Sequence, residues 1–180
     1  NYIVSFLYAI LILANFEAFS AFKRKTSIIF LDSILVASLL SILHLRNDTT
    51  SSLILLLWVI ILTISSDIGG YIFGKIFKWK RLTNISPNKT LSGVIGSVIF
   101  SIFSILLLGL ICKFLFQIDL SFFLKFKYFI FAVILSLSAQ LGDLMVSYFK
   151  RLDKIKDTGK ILPGHGGIFD RIDSLMLSTI

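Results

Sequence analysis

The chain is poor in what soluble domains rely on. Of its 180 residues only 16% are charged, and it has two prolines, two histidines and one cysteine, Cys112. A single cysteine excludes an intramolecular disulfide and a cysteine-based zinc site. Soluble domains usually carry about 25% charged residues, so this deficit points to a membrane protein. No repeat and no low-complexity linker divides the sequence, and residues 1–180 read as one transmembrane domain. What is abundant is apolar: 56% of the residues are hydrophobic, with a mean hydropathy of +0.92. The net charge of +8 would suit nucleic acid. In a many-span protein, however, basic loops reflect orientation and contact with anionic headgroups, so no nucleic-acid partner is expected.

Five apolar stretches are long enough to cross a hydrocarbon core, which takes roughly 20 helical residues. They are Tyr2–Phe22, Ser27–Leu45, Leu53–Phe73, Ser92–Cys112 and Tyr128–Phe149, and Ser174–Ile180 reads as the start of a sixth. Each must be helical, because an unpaired backbone group in lipid costs several kcal/mol. The expected fold is therefore all-α, a polytopic membrane helix bundle. The first run lacks a basic n-region and reads as a span rather than a signal peptide. The sequence begins at Asn1 and stops seven residues beyond Asp173, so it reads as a fragment whose parent's span count stays open.

Fourteen of the Lys and Arg residues fall in the connections after spans one, three and five, and only four fall on the other side. By the positive-inside rule the richer side is cytoplasmic, as in a bacterial inner membrane. That orientation places Asp67, Asp143, Glu17 and Asp32 near the cytoplasmic ends of their spans, with Asp170 and Asp173 in the following segment. Ionisable groups at this depth are costly and face a cavity or a partner. Most of these carboxylates are thus expected around one cytoplasm-facing vestibule.

Three polar clusters belong to that face. In the first, Asp67 precedes Gly69, Gly70, Tyr71 and Gly74; the glycines suit close helix packing as well as function. In the second, Ser86-Pro87-Asn88-Lys89-Thr90 leads into the fourth span, with Thr90 or Ser92 as a helix cap and an anion site as the functional reading. The third contains Asp143, Ser147 and Lys150 at i, i+4 and i+7, on one helix face. A carboxylate, a hydroxyl and an ammonium on one stripe suit a divalent cation beside a phosphate. Downstream, Pro163-Gly164-His165-Gly166-Gly167 offers amides that approach a phosphate closely, and Asp170 and Asp173 follow at i and i+3. Such a hard-oxygen site favours Mg²⁺ over zinc. His165 alone is not a zinc site and fits a phosphate contact or loop shaping. Arg151, Lys154 and Lys160 fit solvated or lipid-facing positions equally well.

Ser147-x-x-Lys150-Arg151, then Lys156-Asp157-x-Gly159, then the run from Leu162-Pro163-Gly164-His165-Gly166-Gly167 to Asp170-Arg171-Ile172-Asp173 span 27 residues. This pattern resembles the signature of the phosphatidate cytidylyltransferases (CDP-diacylglycerol synthases). Asp67, Tyr71 and Gly74, and then Ser86 to Thr90, resemble the family's upstream motifs in the same order. The family usually carries Glu-Gly two residues after Lys-Thr, where this chain has Ser92-Gly93. The resemblance covers residues 53–180, the expected catalytic portion, while residues 1–52 match as generic membrane spans.

The resemblance implies Mg²⁺-dependent transfer of CMP from CTP to phosphatidic acid, with a second cation and a homodimer left open. It implies catalytic roles for Asp143, Ser147, Lys150 and Asp170, with Asp143 and Asp170 binding the metal. Substrate contacts are expected from Asp67, Ser86, Lys89, Thr90, Arg151, Gly164, His165, Gly166, Gly167, Arg171 and Asp173. Membrane lipids are the remaining partner. The alternatives are a CTP-dependent polyprenol or phytol kinase and, from another class, a transporter with intramembrane ion sites.

Overall fold

A computed structural model describes residues 2–45, 50–83, 85–117, 125–159 and 166–180. The helices are α1 (Tyr2–Ala21), α2 (Lys25–Leu45), α3 (Thr50–Phe77), α4 (Leu91–Phe116), α5 (Phe126–Leu152) and α6 (Phe169–Ser178). Four of them, α2 to α5, are long and apolar enough to cross a membrane, and Ala9–Ala21 of α1 adds a shorter apolar helix. The chain is a polytopic helical membrane bundle, as its hydropathy predicts. Exposed Phe16, Phe19, Leu40, Phe103 and Phe114 would be anomalous in water; beside lipid tails they are ordinary. α3 and α5 run a few residues past their apolar stretches, to Phe77 and Leu152.

The closest helix pair is α3 with α4, and glycine is the reason. A Cβ on Gly69 would collide with the Gly96 carbonyl, and one on Gly96 with the Gly69 carbonyl and the Phe73 side chain. Lower down, a Cβ on Gly93 would lie 2.9 Å from the Gly70 carbonyl oxygen. Serines tie these two helices to each other and α3 to α5. Ser97 Oγ donates to the Ser66 carbonyl at 2.8 Å, and the Ser66 and Ser136 hydroxyls pair at 3.0 Å. Without a hydrophobic drive between helices in lipid, close backbone approach and such hydrogen bonds hold a bundle together.

Two apolar cores flank this seam. Trp58 and Leu62 of α3 pack with Ile105 and Leu108 of α4 and Ala132 of α5. Ala14 and Ala18 of α1 and Leu31 and Leu35 of α2 pack with Val146 of α5 and with Phe169 and Met176 of α6. α6 is strongly amphipathic and lies along α5, where Gly142 leaves no room for a side chain against the Asp173 carbonyl. A hydrogen bond of 2.8 Å between the Ser38 and Thr179 hydroxyls joins it to α2.

The glycine seam gives a direct expectation. Gly96→Ala should lower the melting temperature of the detergent-solubilised protein, at a cost of about 1–3 kcal/mol for overpacking. Gly109→Ala, where a Cβ meets open space, should leave it unchanged or slightly raised. Equal melting temperatures for the two variants would contradict this packing.

Candidate functional site

The α3–α4 connection is built to present Lys89 and Thr90. Leu82 N–H donates to the Lys89 carbonyl at 2.8 Å and Leu91 N–H to the Lys80 carbonyl at 3.0 Å, closing a compact loop. Pro87 sits at its turn, and Lys89 N–H donates back to the Ser86 carbonyl at 3.1 Å. Thr90 is extended and caps α4, its Oγ1 accepting the Gly93 N–H at 3.1 Å. Of the two expected caps it is therefore Thr90 that serves, and Ser92 lies beside it with the hydroxyls 3.0 Å apart.

This loop closes one side of a cavity of about 450 Å³ between α3, α4, α5 and α6. Eight of the residues expected to act in catalysis or touch substrate line it: Asp67, Ser86, Lys89, Thr90, Asp143, Lys150, Asp170 and Asp173. Lys89 Nζ lies 2.6 Å from Asp143 Oδ2 and donates to the Gln140 carbonyl at 3.2 Å. Lys150 Nζ lies 2.7 Å from Asp170 Oδ1. The other Asp170 oxygen accepts from Thr158 N–H (2.9 Å), Thr158 Oγ1 (3.1 Å) and Gly167 N–H (3.0 Å). Asp67 Oδ2 accepts from Ser174 Oγ at 3.2 Å.

The electrostatics follow from the count of charges. Four carboxylates face two ammonium groups, so full ionisation leaves a negative excess in a partly dry space. Burial alone would raise Asp170, but Lys150 and the Thr158 and Gly167 amides outweigh it and hold its carboxyl below the usual range. Asp173 Oδ1 accepts the Ser174 N–H at 2.8 Å, but that bond and the charge of Lys150 do not offset its surroundings. Burial first, and then the charges of Asp143 and Asp67, push it up to about 7. Among the described residues no three metal-ligating side chains form a complete cage. A Mg²⁺ ion seldom needs one, since it takes one or two carboxylates plus water and phosphate oxygens. The donor set fits that cation: oxygen only, acidic, and short of positive charge.

Several sequence expectations are revised. Glu17 and Asp32 do not line the cavity; Glu17 is buried against the start of α6, and one Asp32 oxygen is buried without a hydrogen-bond partner among the described residues. Gly167 does not offer its amide to a ligand, because Asp170 takes it. Ser147 lies beneath the cavity wall and donates to Asp143 Oδ1 at 3.3 Å, so it touches the site through that carboxylate. Arg151 and Arg171 are exposed and outside the lining, and half-buried Gly166 is outside it too. Gly164, His165 and Lys160 fall outside the described residues. Gly70, Tyr71 and Asn88 of the polar clusters line the cavity as well, the structure adds Ser97 and Gln140, and the Gln140 Nε2 is buried without a partner among the described residues. Gln140 stands three residues before Asp143, so the i, i+3 stripe was a signal for it.

Comparison with known proteins adds an independent finding. The chain matches the model of the cytidylyltransferase family over residues 1–180. It is 46% identical over 117 residues to a phosphatidate cytidylyltransferase of Staphylococcus haemolyticus, covering 62% of this chain and 40% of the relative. With that of Staphylococcus saprophyticus it shares 39% identity over 140 residues, covering 74% and 49%. With that of Rickettsia conorii the figures are 42% over 135 residues, covering 74% and 57%. The chain thus spans about half the length of the curated relatives it matches.

Asp173 sets a pH dependence. Its folded-state pKa lies above its unfolded value, so its contribution to stability is fully present below about pH 4 and is lost as the pH rises towards 7. In EDTA, Asp173→Asn should therefore flatten the fall in melting temperature between about pH 5 and 7. A slope equal to that of the unsubstituted protein would contradict the assignment.

Proposed function

The chain belongs to the cytidylyltransferase family, and from that premise we propose that its full-length protein transfers CMP from CTP to phosphatidic acid, releasing pyrophosphate. The observation that carries this reading is the meeting of Asp67, Asp143, Asp170 and Asp173 with Lys89 and Lys150 on one cavity. Chemically, a phosphatidate oxygen attacks the α-phosphorus of CTP, a new P–O bond forms, and the bond to the pyrophosphate breaks. The nucleophile is already an anion near neutral pH, so no strong general base is required.

Asp143 and Asp170 are the residues that would hold Mg²⁺, and Asp67 and Asp173 in the same lining could serve a second cation. The bound ion would offset charge on the departing pyrophosphate and on the transferring phosphoryl group. The chain's own part is orientation and charge. Lys89 and Lys150 are each pinned by an aspartate, which aims their ammonium groups at the cavity, where they would screen phosphate oxygens. Thr158 and Gly167 fix the Asp170 carboxylate in one rotamer. Ser147 steadies Asp143 from the opposite side.

Fourteen basic residues against four support a cytoplasmic site, and the relatives are bacterial, which fits an inner membrane. CTP then arrives from the cytoplasm and the lipid from the bilayer. The experiment uses the full-length protein with labelled CTP, offering phosphatidate or a polyprenol. Label at the α-phosphate should appear in CDP-diacylglycerol, and label at the γ-phosphate should appear in pyrophosphate and not in a polyprenyl phosphate. Asp143→Ala and Asp170→Ala should each lower turnover at least about 100-fold, the loss usual for a group that stabilises charge in the transition state, with membrane insertion intact. Turnover like that of the unsubstituted protein would overturn the assignment.

A further inference from the structure

Glu17 is the one glutamate of the chain and sits in α1, a helix that reads from sequence as a generic span. It is 1% exposed and lies outside the cavity lining. Its Oε2 accepts the Ile168 N–H at 2.6 Å and the Phe169 N–H at 3.1 Å. These are amides at the start of α6, where a helix has no carbonyl of its own to offer. Oε1 is buried with no hydrogen-bond partner among the described residues. The two segments around it are shaped to its outline. A Cβ on Gly159 would run into Glu17 Oε1, and a Cβ on Gly167 would run into Glu17 Oε1 and Thr158 Oγ1.

The same two segments hold Asp170. Thr158 and Gly167 supply the three hydrogen bonds to its Oδ2. A carboxyl buried among Ala14, Ala18 and Phe169 is costly, and apolar packing alone would be better served by leucine. The contacts therefore indicate what keeps a carboxyl there: α1 supplies the cap that α6 lacks, since Ile168 makes no side-chain cap.

We propose that Glu17 is a positioning residue, a carboxyl reaching from α1 that fixes the first turn of α6 and through it sets Asp170 and Asp173 in the cavity. It acts through backbone amides and touches no reactant. The proposal deepens the function proposed above and rests on it for the role of the cation.

The test uses the full-length protein with two readouts that need no turnover: amide hydrogen exchange across residues 166–173, and Mn²⁺ affinity by electron paramagnetic resonance. In Glu17→Ala the Ile168 and Phe169 amides should exchange faster while α5 keeps its protection. Mn²⁺ affinity should fall about 10-fold or more, the usual consequence of losing an outer support of a metal ligand. Glu17→Gln keeps a carbonyl acceptor and should recover most of both. Gly159→Ala displaces the intact Glu17 side chain and should reproduce the loss, and the double variant should be no worse than either single one. Should Glu17→Ala fail to fold, Gly159→Ala carries the same readouts. Unchanged exchange at Ile168 and Phe169, or Mn²⁺ affinity equal to that of the unsubstituted protein, overturns the proposal. Unsubstituted protein that binds Mn²⁺ but transfers no CMP would sink the proposed function, and these readouts would still decide the anchor.

Discussion

Carboxylates inside a lipid-facing bundle must be answered by charge or by hydrogen bonds, and here four of them share one cavity with two lysines. Most of the local architecture follows from that imbalance. Asp143 takes Lys89 from a loop closed for the purpose, and Asp170 takes Lys150 and three donors from the segments around it. Asp173 is left with the surplus and answers by holding a proton up to about pH 7. Adding a divalent cation would relieve the same surplus. The oxygen-only, acidic donor set is what a hydrated Mg²⁺ accepts.

The packing serves this arrangement. Gly69, Gly70, Gly93 and Gly96 let α3 and α4 meet backbone to backbone, which brings Asp67 and the Thr90-capped start of α4 to the same wall. Gly142 does the equivalent for α5 and α6, setting Asp173 near Asp143. Serine hydroxyls rather than bulky side chains then stitch the interior. Small residues in this bundle are thus the means by which charged ones are gathered.

Much of this was legible in the sequence, for definite reasons. Apolar run length fixed the spans, and helical spacing put Asp143, Ser147 and Lys150 on one stripe. The position of Thr90 before an apolar run marked a cap. What could not be read were the partners of each charge, because pairing across helices depends on register: Lys89 with Asp143 is separated by 54 residues. Glu17 looked like one more vestibule carboxylate by depth alone. Its use against the start of α6, 151 residues away, is a fact of tertiary packing that no local pattern carries. The amide of Gly167 was assigned to a ligand for the same reason, since only the fold shows that Asp170 already holds it.

The central claim is that this cavity joins a divalent cation, CTP and a phosphatidate. The most direct measurement incubates membranes containing the full-length protein with CTP and phosphatidic acid, with Mg²⁺ or with EDTA. The account predicts CDP-diacylglycerol and pyrophosphate in equal amounts with Mg²⁺ and neither with EDTA. Undiminished product in EDTA, or no product with Mg²⁺, would contradict it.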